Sequence, residues 1–202
     1  MKKDFNGEKF FDDDKFKELF TQNNIWNAIP KIADFLKTNS KKKIKVGKGT
    51  IIHPSAEIIG PAIIGENCTI GPHVYLRENC IIGNNVHIGH AVEIKNSIIM
   101  DGAAIAHLNY IGDSIVGRNV NISGGAMLAN LRLDKRLVAI KFEDKKIETG
   151  LQKFGAIVGD DSFIGVNAVL NPGTILGKRT RVYPLVSISG IYGDDSIIKK
   201  TK

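Results

Sequence analysis

The chain is short of several things, and each shortage closes off a class of protein. Two cysteines in 202 residues are too few to carry a disulfide framework. No apolar run approaches the roughly 18 residues of a membrane span, and no membrane partner is expected. The stretch Met1 to Asp14 is charged and lacks the apolar core of a signal peptide. Free thiols and the missing leader together predict a cytoplasmic protein. No basic helix with interleaved aromatics occurs, so nucleic acid is not an expected partner. The net charge of +7 gathers at Lys41, Lys42, Lys43 and Lys45 and again at Lys199, Lys200 and Lys202, and reads first as solvated linkers.

What is present is a period of six. Aliphatic residues fall at Val46, Ile52, Ile58, Ile64, Ile70, Leu76, Ile82, Ile88 and Ile94, and again at Val158, Ile164, Leu170, Leu176, Val182 and Ile188. Between the two runs the series continues through Ile99, Ile105, Ile111, Val116, Ile122 and Leu128, with two steps shortened to five. A glycine often follows, as at Gly65, Gly71, Gly83, Gly89, Gly159 and Gly165. Four residues after each aliphatic comes a small or β-branched residue, such as Ala62, Cys68, Val74, Cys80, Val86 or Val92. That position precedes the next aliphatic by two, so both side chains point the same way on a strand. A step of six does not hold one face of a helix at 3.6 residues per turn. Each hexapeptide is therefore a short strand with two inward side chains and a turn. Three hexapeptides make one triangular coil, and about seven coils are expected. The fold class is mainly β, a parallel β-helix. Cys68 and Cys80 both fall in the small inward slot, where free cysteine behaves as a small buried hydrophobe.

Two segments leave the period. Residues 1–43 are read as a helical N-terminal cap and basic linker. A capped helix start is expected at Asp12–Asp14 ahead of Lys15 to Phe20. A second amphipathic segment over 25–37 has Ile25, Trp26, Ile29, Ile32, Phe35 and Leu36 as its apolar face, with Pro30 as a kink or first-turn residue. Its expected job is to cover an open end of the β-helix, whose strand edges and core are otherwise exposed; a docking site for a partner domain is the alternative. Residues 129–157 form a loop insertion. Val138 to Phe142 and Ile147 to Thr149 read as one ejected hairpin, expected to reach a neighbouring subunit or cover a site. Residues 44–190 make the β-helix domain and 191–202 a polar tail.

In a coiled solenoid, residues one turn apart lie about 4.8 Å above one another. Arg77 and Lys95 each follow a residue of the six-step series and are one turn apart, so they predict a stacked cationic pair with an anion between them. His90 and His107 stack likewise because of a shortened step. The neighbours His87 and His90 are expected on different sides of a turn, which argues against a metal site; none is expected. His53 and His73 show no constellation.

Three strings carry a resemblance: Glu93-Ile-Lys-Asn-Ser-Ile-Ile, Ala106-His-Leu-Asn-Tyr-Ile-Gly-Asp113, and Asn119-Val-Asn-Ile-Ser-Gly-Gly125. They resemble the acetyltransferase half of bifunctional N-acetylglucosamine-1-phosphate uridylyltransferase/glucosamine-1-phosphate N-acetyltransferase, over roughly residues 44–190. The resemblance implies a left-handed β-helix, a homotrimer with sites between chains, and acetyl-CoA as co-substrate. It gives His107 as general base and carries sugar and phosphate contacts onto Arg77, Lys95, Tyr110 and Asn121. Leu131-Arg-Leu-Asp134, the hairpin and Thr149-Gly150 look more like the tail of archaeal-type sugar-1-phosphate nucleotidyltransferases, which adds Asn130, Lys135 and Arg136. The chain departs from the bacterial pattern at Ala106 and at Val166, near the family's coenzyme site. It carries no Leu-x-x-Gly-x-Gly-Thr-Arg-like loop, so synthesis of a nucleotide sugar by this chain alone is not expected.

The functional expectation is an acetyl-CoA-dependent N-acetyltransferase acting on an amino-sugar phosphate. The protonated amine must lose a proton before it attacks, and an imidazole titrates in the right range to take it. A backbone N–H around Ser123, Gly124 and Gly125 is the expected oxyanion donor. Lys178, Arg179 and Arg181 are candidates for the coenzyme phosphates, with a solvated corner as the equal alternative. The rival expectation is a non-catalytic trimerisation or regulatory module for a separate nucleotidyltransferase.

Overall fold

The computed structural model of the chain describes residues 5–12, 16–20, 24–142 and 145–199. The six-residue series becomes three parallel sheets that wind around one core. Among the described residues the first sheet has eight strands, from Ile44–Val46 to Ile191–Tyr192, and the second has eight, from Ile51–Ile52 to Ile197–Ile198. The third has seven, from Glu57–Ile58 to Ser187–Ile188. Pairing is in register from coil to coil, with Ile64 beside Ile82, Ile70 beside Ile88 and Leu76 beside Ile94. The aliphatic residues of the series from Ile64 onward are buried, together with Ala62, Cys68, Val74 and Cys80 in the small slot. Corners at Asn67, Asn79, Asn85, Asn119 and Asn167 have φ between 54° and 60°, a region that asparagine enters more readily than bulky residues.

Three expectations change. The polar tail is a continuation of the β-helix. Tyr192 partners Leu176 and Ile198 partners Val182, and both pack against the core. The step from Ile188 to Tyr192 is four instead of six, which hides the strand from a search for sixes.

The N-terminal segment does not close the open end, where Val46 remains 43% exposed. It lies along the outer side of the first sheet. That side carries Ile63, Ile81, Ile98, Ile115, Ile157 and Ile175 in one column, five of them buried and Ile63 half-buried. Phe5, Phe10, Phe11, Phe16, Phe20, Trp26, Ile29 and Leu36 cover the column. A 3-10 segment Ile25–Lys31 leads into one α-helix, Ile32–Asn39, with Pro30 just ahead of the join. The expected apolar face is inward here, with Phe35 half-buried. Of the helix start expected around Asp12–Asp14, residues 13–15 lie outside the described residues; Lys17–Leu19 is a single 3-10 turn.

The hairpin, Ala139–Phe142 against Lys145–Glu148, is not ejected from the prism but packs against the first sheet. Val138 and Ile140 are buried in the same apolar layer, and Phe142 meets Phe5 edge-on at 6.2 Å. What projects is the loop ahead of it, where Leu133 is wholly exposed. No helix among the described residues is long and apolar enough to cross a membrane.

Candidate functional site

Arg77 and Lys95 stack as their spacing requires, because Leu76 and Ile94 are strand partners in the third sheet. The anion between them is supplied by the protein itself. Arg77 Nη1 lies 3.0 Å from Glu93 Oε1. Glu78 bridges the pair, at 3.7 Å from Arg77 Nε and 3.4 Å from Lys95 Nζ. Lys95, only 13% exposed, also lies 3.9 Å from Asp113. The hydrogen bond to Glu93 raises the Arg77 pKa above its ordinary value, with Glu78 adding to the effect. Burial pulls the Glu78 pKa upward, yet its own backbone N–H with Lys95 and Arg77 outweighs that and lowers it.

A polar column stands beside this pair. Asn96 Nδ2 donates to Asp113 Oδ1 at 2.8 Å, and Asn130 Nδ2 donates to Asp113 Oδ2. The three residues are seventeen apart because both five-residue steps fall at this corner. The shortened steps carry the signal for this column, while the six-step series alone does not single out Asn96 or its link to Asp113 and Asn130. Tyr110 folds over Gly112, whose position has no room for a Cβ beside the phenol oxygen and Asn130 Nδ2. Burial raises the Tyr110 pKa, and Asp113 and Glu93 raise it further, so the phenol stays a neutral donor at pH 7. Arg77, Lys95, Tyr110 and Asn130 are therefore one ledge, as the sequence grouped them.

His107 ends the strand Ala104–His107 of the second sheet, at the corner that leads to Tyr110. It pairs in register with His90. His73, which the sequence left alone, joins the column, its ring 5.5 Å from that of His90 and edge-on. His87 and His90 share one strand, His87–His90, rather than flanking a turn. The His107 ring lies against Gly124, where a Cβ would sit 2.6 Å from Nε2. The Ser123 N–H donates to the Ile164 carbonyl at 2.9 Å and the Gly125 N–H to the His107 carbonyl at 3.0 Å. Of the three N–H groups expected at this turn, only that of Gly124 makes no such bond among the described residues.

Asn121 does not join the ledge. It lies on the outer side of the second sheet, between Ala104 and Phe163. There Asn121, Ser123, Phe163, Val166, Arg181 and Tyr183 line a cavity of about 630 Å³. Lys178 and Arg179 are engaged elsewhere. Lys178 pairs with Asp12 of the N-terminal segment, and Arg179 with Asp195 at 2.7 Å and Asp194 at 3.7 Å. Asp12 and Asp195 are held below the usual carboxylate range by these partners. Lys135 and Arg136 sit exposed on the projecting loop, where Arg132 and Asp134 pair with each other.

This fold is a hexapeptide-repeat β-helix. The chain belongs to the family described as the GMPPB C-terminal domain, which matches residues 41–141. Residues 155–182 match the hexapeptide repeat of succinyl-transferase. The bifunctional protein GlmU of Methanococcus aeolicus is 34% identical, over 94% of this chain and 54% of that protein. The bifunctional sugar-1-phosphate nucleotidylyltransferase/acetyltransferase of Sulfurisphaera tokodaii is 38% identical, over 72% of this chain and 38% of that protein. The chain thus spans about half, or less, of the length of these relatives. A solved mutant of AntD, an N-acyltransferase from Bacillus cereus in complex with dTDP and coenzyme A, is 18% identical with a TM-score of 0.48, over 78% of this chain and 80% of that one.

Proposed function

We propose that the chain is an acetyl-CoA-dependent N-acetyltransferase acting on an amino-sugar phosphate of the glucosamine-1-phosphate type. The observation that carries this reading is the corner at His107. An exposed imidazole stands between a ledge of phosphate and sugar donors and a cavity lined by Arg181. The Sulfurisphaera tokodaii relative is a bifunctional sugar-1-phosphate nucleotidylyltransferase/acetyltransferase, which fits a sugar phosphate as acceptor.

In this reading Arg77 and Lys95 hold the phosphate, and Tyr110 and Asn130 orient the sugar. Lys135 and Arg136 contribute to the acceptor from the exposed loop, and Asn121 faces the second-sheet cavity instead of the ledge. His107 takes one proton from the substrate ammonium. The freed amine attacks the thioester carbonyl, and the Gly124 N–H faces the developing oxyanion. The tetrahedral intermediate gives the nitrogen's second proton to solvent and collapses, the C–S bond breaks, and the imidazolium gives its proton to the coenzyme thiolate. No acyl-enzyme is needed, since both cysteines are buried in the core. The coenzyme phosphates meet Arg181; Lys178 and Arg179 contribute only by exchanging their present carboxylate partners. Three copies assemble with sites between them, in the cytoplasm.

The test is release of coenzyme A thiol from acetyl-CoA against a panel of amino-sugar phosphates. Turnover confined to the phosphorylated amino sugars is the expected result. No release with any of them, together with binding to a separate sugar nucleotidyltransferase, is the result expected of a non-catalytic module. The ion pairs that occupy Lys178 and Arg179 favour that second reading.

A further inference from the structure

The ledge contains two cations and three carboxylates within ion-pair distance: Arg77 and Lys95 against Glu78, Glu93 and Asp113. Its formal charge is therefore negative, although it is the proposed seat of a phosphate. The three carboxylates are not held alike. Asp113 is 6% exposed and takes hydrogen bonds from Asn96 and Asn130. Glu93 takes a 3.0 Å hydrogen bond from Arg77. Glu78 has its side chain 42% exposed and touches each cation at a longer distance, 3.7 Å and 3.4 Å. It sits at the corner directly after Arg77, ahead of Asn79 with φ of 60°, so its backbone is set by the turn while its carboxylate stays at the open side.

We propose that Glu78 is a built-in competitor for the anion site, a carboxylate that spans Arg77 and Lys95 when the site is empty and yields to phosphate when substrate binds. The proposal rests on the reading of the ledge as a phosphate site. Glu78 is thus a specificity-determining residue. Both cations keep a partner in the empty protein, and weak monoanions do not displace a tethered carboxylate. A phosphate brings two charges and three oxygens, enough to engage Arg77 and Lys95 together. The depressed pKa of Glu78 agrees with a carboxylate that is ionised across the working range and competes throughout it.

The test is calorimetric titration of the full chain with inorganic phosphate and, separately, with glucosamine-1-phosphate, comparing the native protein with Glu78→Gln. Glu78→Ala serves as a second variant, and Glu66→Gln, on a different corner, as a control. Removing one half-exposed carboxylate from an ion pair should tighten both ligands about threefold to tenfold, and formate or acetate should begin to compete in the variant. Unchanged or weaker phosphate binding in both Glu78 variants overturns the proposal. Weaker glucosamine-1-phosphate binding beside unchanged phosphate binding also overturns it, and makes Glu78 a contact for the ammonium. Tighter phosphate binding without acetyl transfer to any amino-sugar phosphate leaves Glu78 as the competitor and removes the proposed reaction.

Discussion

At the scale of the residue, chemistry is decided by what lies within a few ångströms. His107 is exposed, and its ring is seated where Gly124 leaves room. If it is the base, His107→Ala should lower turnover by roughly 10²–10⁴-fold at neutral pH and leave acetyl-CoA affinity nearly intact. The loss should shrink at high pH, where more of the amine is already free. An unchanged turnover number at saturating substrate would remove the assignment. Cys80 is fully buried, and burial pushes its thiol up to about 12. The folded pKa lies above the unfolded value, so the group's contribution to stability is whole below about pH 9 and fades as pH rises towards 12. Urea midpoints at pH 8 and pH 10.5 should differ more in the native protein than in Cys80→Ala. In the folded state at neutral pH the thiol should resist alkylation, since the thiolate is the nucleophile.

At the scale of the element, the N-terminal segment is tied to the β-helix by one buried carboxylate. Asp160 has no exposed surface, accepts the Asp12 N–H at 2.9 Å and the Arg118 N–H at 2.8 Å, and takes two further bonds from the Arg118 guanidinium. Asp160→Ala strands these donors and should lower stability by about 3 kcal/mol. The loss should appear first as faster proteolysis within the N-terminal segment and as dye binding to the uncovered isoleucine column. Equal proteolysis rates in the variant and the native chain would show that the aromatic packing alone holds the segment. That packing is large. Five fully buried isoleucines on the outer side of the first sheet are each worth about 1.5–3 kcal/mol when covered. The column was readable as doublets, Ile63-Ile64, Ile81-Ile82 and Ile98-Ile99. A period of one inward residue in six passes over its neighbour, so the period alone points the segment to an open end instead of a side.

At the scale of the whole molecule, a prism with one side covered has two sides left. The first sheet is closed by its own N-terminal segment and hairpin, so contact between copies in the proposed trimer falls to the second and third sheets and to the loop bearing Leu131, Leu133 and Leu137. Those leucines are exposed in the single chain. Sedimentation at micromolar concentration should give three times the mass of one chain. Leu133→Asp combined with Leu137→Asp should shift it towards monomer and reduce activity in parallel. A native chain that sediments as a monomer would sink the assembly and the shared site with it.

The period of six by itself determined three sheets, the inward residues and the register of Arg77 over Lys95. Strand alternation is local, and a constant step makes every coil repeat the last. The ledge was legible for the same reason, since Arg77, Lys95, Tyr110 and Asn130 follow from register and from the family strings. Three matters were left to the tertiary structure: which side of the prism is covered, which charges are spent, and where the chain stops coiling. Lys178 meets a carboxylate 166 residues away, and Asp160 meets the Asp12 N–H across 148 residues. No period relates such partners. A surface charge reads the same in sequence whether it faces water, a ligand or its own chain, and only the folded packing decides among them.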